Sequence, residues 1–242
     1  MMYSILYHIR KKVIYCIPNK ILIFILNNRT NTFANIFLYI TGHRSLANRL
    51  NKNGLIIKKI IEIEISDLYV LRNIKCECIE SKSKDFLPFL ERFKSIKGDL
   101  KLMNSFHLKL FNKFKDLKNF QSLNYKNLNY YKWHQDLHKN KINRRDHNWI
   151  LNKLESCFHL YKSILLKGFV NDNNKNLPLI LNKPLIKSRY QFKYKIDGFE
   201  IFDGHHRVAC LASLGYKKVE CFLCLDIADK TPFGINLNEI NK

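Results

Sequence analysis

The residues with the clearest chemical potential form a short run near the end of the chain, Asp203-Gly204-His205-His206-Arg207. The alternating apolar segment before it, from Phe199 to Phe202, predicts a strand, and the apolar spacing after it predicts a helix that ends at Gly215. The run therefore occupies a strand-to-helix turn. We expect Asp203 to cap the helix and Gly204 to permit close backbone approach.

Basic side chains dominate the first turn of that helix, although the N–H groups and the dipole there favour negative charge. His205, His206 and Arg207 stand where acidic residues are expected. An anion such as a phosphate, docked at the helix start, would explain this arrangement. Asp203 would then hold a cation or orient an imidazole. The alternative is that Asp203 only caps the helix and the two histidines lie on the surface.

The run from Asp203 to Arg207, between apolar strands, resembles the Asp-Gly-x-His-Arg signature of the ParB/sulfiredoxin-like superfamily. The resemblance covers roughly residues 145–226, with a first strand near residues 60–65. It implies an α+β fold in which a small mixed sheet is flanked by helices. Members of this superfamily include chromosome-partitioning nucleotide triphosphatases, a peroxiredoxin-repairing ATP-dependent reductase, free-serine kinases and nuclease-like domains.

The same resemblance implies a nucleotide site. Gly204, His205, His206 and Arg207 would hold the phosphates of ATP or CTP, and Asp203 would bind Mg²⁺ or orient His206. Asp203 and His206 would be catalytic residues in phosphoryl transfer to a small molecule or in nucleotide hydrolysis, which need mostly positioning and charge neutralisation.

Kinase relatives use a carboxylate upstream of the motif to deprotonate the acceptor hydroxyl, and Glu155 is the candidate for that role. Its alternative is a place on a solvated helix face. A nucleotide-dependent kinase or nucleotide triphosphatase is the leading interpretation, and whether the protein is an enzyme stays open. A reductase would need a reactive Cys beside the motif, and Cys210 is expected to be too buried.

Two other function classes remain as alternatives. The first is a DNA-binding ParB-type or nuclease-like protein, which the net charge of +22 favours. The same charge would follow from an A/T-rich coding sequence, and no helix-turn-helix is evident after the core. The second is a non-catalytic binder of a phosphorylated ligand in a surface-polysaccharide pathway.

Cysteine usage favours a reducing cytoplasm, because seven scattered Cys residues do not form a disulfide framework. Cys221 and Cys224 are interpreted as small buried hydrophobes of a strand. A separate candidate is the pair His134 and His138, which lie four residues apart and could share a metal ion. Gln135 stands where the related zinc motif has its general base.

The chain divides by composition into three parts, at residues 1–54, 55–228 and 229–242. The first is basic and apolar; we expect a helical subdomain, with an acidic membrane surface as the less favoured alternative. The second is the core, with a helical insertion at about 80–141 whose aromatic and basic residues suit either amphipathic helices or single-stranded nucleic acid. The third is a polar tail.

Local patterns predict further elements. An Asp197-Gly198 hairpin should lead into the strand at Phe199, and Glu200 should point outward from that strand. The other expected strands are the segments 55–65, 70–79, 177–181 and 189–196, and the expected helices are 85–95 and 144–167. We expect Asp146 to cap helix 144–167, Gly168 to end it and Leu165 to belong to its buried stripe.

Overall fold

The computed structural model describes residues 18–52, 54–70, 101–139, 146–170, 174–182, 185–187, 193–195 and 198–226. Within these residues the helices are α1 (Asn19–Asn27), α2 (Thr32–Ile40), α3 (Arg44–Lys52), α4 (Phe106–Phe114), α5 (Asn129–Lys139), α6 (His147–Lys167) and α7 (His205–Ser213). The strands are β1 (Leu55–Glu64), β2 (Leu68–Tyr69), β3 (Leu179–Leu181), β4 (Leu185–Lys187), β5 (Lys193–Lys195), β6 (Phe199–Asp203) and β7 (Lys218–Asp226).

The described strands form a five-stranded mixed sheet and a separate pair of β4 with β5. This confirms the predicted combination of helices with a small mixed sheet, while the ParB/sulfiredoxin-like fold itself stays a prediction. No helix among the described residues is both long enough and apolar enough to cross a bilayer.

The chain folds as two compact units, and the first takes its described residues from 1–61, 171–182 and 220–242. It contains α1, α2 and α3, and its part of the sheet has the order β1-β7-β3. β3 runs parallel to β7, with Ile180 opposite Leu223. All three β3 residues are buried, as expected for a parallel strand covered on both faces.

Polar side chains at the end of α1 attach that helix to β1. The Asn27 side-chain amide donates to the Ile57 carbonyl at 2.8 Å and accepts from the Ile57 N–H at 2.9 Å. Arg29, which is only 6% exposed, donates to the Leu55 carbonyl at 2.8 Å. These bonds satisfy backbone groups and the buried guanidinium at the same time, so the position of α1 on β1 is fixed.

The second unit takes its described residues from 62–170 and 183–219. α7 packs against α4 and α6, and α4 also packs against α5. β2 and β6 pair in parallel, with Leu68 opposite Phe199. The boundaries predicted at residues 54 and 228 stay predictions.

Helix α6 follows the sequence closely. Asp146 caps it by accepting from the Trp149 N–H at 2.8 Å, and Gly168 ends it with φ of 71°, a backbone angle that favours glycine. Its buried stripe is Ile150, Leu154, Cys157, Phe158, Tyr161 and Ile164. Leu165 was expected in this stripe but is 52% exposed.

The predicted hairpin through Asp197-Gly198 is wrong. β5 pairs with β4, with Ile186 opposite Tyr194, and β6 pairs with β2. Gly198 serves a different need, because a Cβ there would overlap the carbonyl oxygen of Asp67. The glycine thus allows the chain to enter β6 against the turn Ile65–Asp67.

Two of the other predicted elements are confirmed: segment 55–65 forms β1, and segment 177–181 contains β3. Segment 189–196 contains β5, and its other residues lie outside the described ranges. The same is true of the predicted helix 85–95, of most of the predicted strand 70–79 and of the tail 229–242.

Candidate functional site

The candidate site begins where β6 passes into α7. Gly204 has φ of 98° and ψ of 13° and is the N-cap residue of the helix, a left-handed conformation that glycine adopts without strain. Asp203 is the last residue of β6, and its carboxylate accepts from the Gly204 N–H at 2.8 Å. The expectation that Asp203 caps α7 is therefore wrong, because the left-handed turn places the cap one residue later.

The two histidines of the first turn pack against helices from earlier in the chain. His205 is 9% exposed and its ring stacks on His107, with centroids 5.5 Å apart. The Nε2 atom of His206 lies 2.8 Å from the Tyr130 hydroxyl, and its ring meets His107 edge-on at 4.8 Å. Together with His134, we call these residues the imidazole cluster: His107, Tyr130, His134, His205 and His206.

Helix α4 supplies His107. Ser105 caps this helix by accepting from the Leu108 N–H at 3.2 Å, which sets the helical register two residues before the histidine. The buried residues of α4 are His107, Leu108, Leu110, Phe111 and Phe114. His107 therefore belongs to the face that packs against α7.

Helix α5 supplies the remaining members. Tyr130 and His134 lie four residues apart and so share one helix face, with ring centroids 4.6 Å apart. Both are almost completely buried, at 2% and 1% exposure. Trp133 packs on His134 with centroids 4.4 Å apart. The insertion predicted at 80–141 thus encloses the imidazoles of the motif.

This enclosure changes the charge of the motif. Burial lowers the pKa of His206 well below its usual value, and nearby His107, Lys153, His205 and His134 lower it further. A partly buried imidazole surrounded by such groups stays neutral at neutral pH, and a neutral ring can accept the Tyr130 O–H. The expectation that the His206 imidazole adds positive charge at the helix start is therefore not supported.

The predicted site residues separate into two groups. The residues from Asp203 to Arg207 are contiguous at one end of α7, and Asp203, Gly204 and Arg207 are half-buried there. Glu155 lies elsewhere: its side chain is 48% exposed and its carboxylate is 3.9 Å from His159. Lys153, which is also on α6, lowers the pKa of His206 and therefore lies near it. Glu155 is two positions later, so its side chain points about 200° away from that of Lys153 around the helix.

The burial of Glu200 also differs from what the sequence predicted. It was predicted to point outward, but it is 0% exposed. β6 pairs with β2 in parallel, and parallel strands are commonly covered on both faces. The alternation that predicted an outward carboxylate applies to a strand with one solvated face.

The cysteines near the motif are not activated. Cys210 is fully buried, and burial, with a smaller effect of Cys157, raises its pKa to about 12. A thiol in that state is not a nucleophile at neutral pH, so the reductase interpretation gains no support. Cys221 and Cys224 are buried as expected, and burial raises the pKa of Cys224 to about 12.

Within the described ranges, no group of three or more His, Cys, Asp or Glu residues is arranged to hold a metal ion. A Mg²⁺ ion at Asp203 would have this one carboxylate and the phosphates as ligands, and it stays a prediction. His134 is buried beside Tyr130 and Trp133.

Sequence reasoning missed the residues that surround the motif. His107 precedes His205 by almost a hundred positions, and no local pattern links them. The aromatic residues of the insertion were assigned either to amphipathic helices or to stacking on bases, and the burial of Tyr130, Tyr131 and Trp133 agrees with the first alternative. Their spacing on one helix was the available signal that they face the core.

Comparison with known proteins gave no relative. No family model matches the sequence, and no curated protein and no solved structure shows a significant match. The superfamily resemblance therefore depends on the motif and its strand-to-helix setting.

Proposed function

We propose that this chain is a ParB/sulfiredoxin-like protein that binds the phosphates of a nucleotide at the start of α7. The reaction proposed with it is ATP-dependent phosphoryl transfer to a small molecule or hydrolysis of the nucleotide, with Mg²⁺ as the metal. ATP and CTP are the two candidate nucleotides.

The start of α7 carries this proposal. Its N-cap residue is Gly204, which has no side chain to cap the helix, and its first turn contains no acidic residue. Backbone N–H groups at a helix start favour an anion. Arg207 in the same turn offers a permanent positive charge with a geometry that suits phosphate. This combination suits a helix start whose N–H groups bind an anionic ligand.

The roles within the site follow from burial. His205 and His206 contact α4 and α5, so we assign them to holding the first turn in place. Contact with phosphate would fall to the backbone N–H groups and to Arg207. Asp203 lies one residue before the cap, where its carboxylate would share Mg²⁺ with the phosphates.

A second candidate is binding without turnover. Glu155, the proposed base, is exposed beside His159, and His206 is bonded to Tyr130. Neither residue is presented to an acceptor hydroxyl, which favours a phospho-ligand binder over a kinase. Nucleic-acid binding has less support, because the aromatic residues Tyr130, Tyr131 and Trp133 are buried.

Thermal unfolding with and without nucleotide tests the proposal. ATP, CTP and GTP, each with and without Mg²⁺, are added to the wild-type protein, to Arg207→Ala and to Lys113→Ala. Lys113 is an exposed cation on α4 and controls for loss of charge alone. A ligand at about 100 times its Kd should stabilise the fold by about 2.7 kcal/mol.

We expect wild type and Lys113→Ala to show the same stabilisation and Arg207→Ala to lose most of it. No stabilisation by any nucleotide would overturn the proposal. Stabilisation that survives in Arg207→Ala would place the ligand elsewhere. Release of phosphate or consumption of ATP distinguishes the enzyme from the binder.

A further inference from the structure

Helices α1 and α2 expose large apolar side chains although their opposite faces are already buried. Phe33 is 84% exposed and Phe24 is 67% exposed. The complete set, which we call the apolar face, is Ile21, Phe24, Phe33, Ile36, Tyr39 and Ile40. Half of the twelve large hydrophobic side chains that are exposed among the described residues belong to these two short helices.

The apolar face is presented by a fixed element. Leu22, Leu26 and Leu38 occupy the buried sides of α1 and α2, and α1 packs against α2. Asn27 and Arg29 bond the end of α1 to the backbone of β1. The exposed side chains are therefore additional to those that the fold needs for its core.

The segment of the chain that carries this face, residues 1–61, contains charges of one sign only. All 20 acidic residues of the chain follow Ile61, whereas 10 of its 42 Lys and Arg residues precede Glu62. Lys20 lies in the first turn of α1, and the Arg44 guanidinium lies 5.5 Å from the centre of the Tyr39 ring. Basic residues thus accompany an apolar surface that contains no carboxylate.

We propose that the apolar face docks on the surface of an anionic phospholipid bilayer. Exposed aromatic and aliphatic side chains with a basic surround are the features of elements that lie in the membrane interface, and anionic headgroups attract the basic residues. Each helix has nine residues, or about 14 Å, so the two helices would lie along the surface.

The charge argues for lipid over two other occupants. A second copy of this chain would bring the basic helices α1 and α2, with Lys20 and Arg44, against the same helices of its partner, and like charges disfavour such an interface. Nucleic acid would be attracted by the basic residues but would leave the aliphatic side chains without an apolar partner. This inference does not depend on the proposed phosphate site.

Sedimentation with lipid vesicles tests the proposal. The full chain is mixed with vesicles of phosphatidylcholine alone or of phosphatidylcholine with phosphatidylglycerol, at low and at high salt. The test variant is Phe33→Ser with Ile36→Ser. The matched control is Leu165→Ser with Leu166→Ser, which removes two exposed apolar side chains of α6, 52% and 79% exposed, in the other unit. Circular dichroism establishes that both variants are folded.

We expect the wild type and the α6 control to bind the anionic vesicles, and high salt to weaken that binding. The Phe33/Ile36 variant should bind about tenfold more weakly or worse, since two apolar side chains no longer leave water. Absence of binding, equal binding to neutral vesicles, or equal weakening by the α6 control would overturn the proposal. So would a dimer in size-exclusion chromatography that the Phe33/Ile36 variant abolishes while no vesicles are bound.

Discussion

Two consecutive tyrosines of α5 hold the first turns of two different helices. The Tyr131 hydroxyl lies 2.8 Å from Nδ1 of His147, the first residue of α6. The Tyr130 hydroxyl lies 2.8 Å from Nε2 of His206, the second residue of α7. The two helix starts thus share a Tyr-His bond of the same length.

The two starts differ in their caps. α6 begins after Asp146, whose carboxylate accepts a backbone N–H, so a negative group already complements that end of the helix. α7 begins after Gly204 and carries Arg207 in its first turn. The carboxylate at the α6 start bonds an N–H inside the first turn, whereas the Asp203 carboxylate at the α7 start bonds the N–H of the cap residue Gly204 itself. The difference teaches that a side chain caps α6 but not α7, and the proposed site would use the uncapped start.

Removal of the Tyr130 or the Tyr131 hydroxyl should give the largest difference in the free energy of unfolding. Tyr130→Phe should lower the free energy of unfolding by about 1–3 kcal/mol, because it takes the hydroxyl partner from an enclosed imidazole. Tyr131→Phe should cost only about 0.5–1.5 kcal/mol, since the exposed His147 can bond to water. Urea unfolding of both variants measures the difference. A larger loss for Tyr131→Phe would show that the two bonds have been ranked in the wrong order.

Acidification should weaken the α7 start in particular. Burial lowers the pKa of His206 in the folded protein. Below the unfolded value of about 6.5 the unfolded chain therefore binds more protons than the folded chain, and the free energy of unfolding decreases as the pH is lowered. Between pH 7.5 and pH 5.5 one such group removes at most about 1.4 kcal/mol from the free energy of unfolding. Urea unfolding at both pH values should show a loss of stability in the wild type and a smaller loss in His206→Gln. Equal losses in the two proteins would contradict it.

Loss of the α6 cap gives the smallest expected effect. Asp146→Ala should cost about 1 kcal/mol of stability, the usual value for an N-cap. Because the start of α6 is not part of the proposed phosphate site, any nucleotide-dependent thermal shift of the wild type should be unchanged in this variant. Thermal unfolding with and without nucleotide measures both quantities. A lost ligand response in this variant would mean that the two helix starts are not independent.

The sequence predicted the elements that depend on local patterns. α6 was located with its cap at Asp146 and its end at Gly168, and β1 and the strand-to-helix turn at Gly204 were also found, because periodicity and turn residues report directly on the backbone. The α+β class was an implication of the superfamily resemblance, and the observed combination of helices with a mixed sheet agrees with it.

Contacts between distant segments could not be predicted in this way. Nothing near His205 indicates that its ring stacks on His107, and the burial of Glu200 depends on how β6 pairs with another strand. Asp197-Gly198 has the composition of a hairpin turn, yet the glycine is required by the Asp67 carbonyl on a neighbouring turn. In each case the deciding atom belongs to a part of the chain far away in sequence.

The bonds from α1 to β1 have a consequence for self-association. β1 is the last strand at one side of its sheet, and such edges can recruit strands from other molecules into aggregates. Asn27 occupies both backbone groups of Ile57, and Arg29 occupies the carbonyl of Leu55. An incoming strand would have to displace an amide and a guanidinium at Leu55 and Ile57, so the beginning of this edge is protected against intermolecular β-pairing.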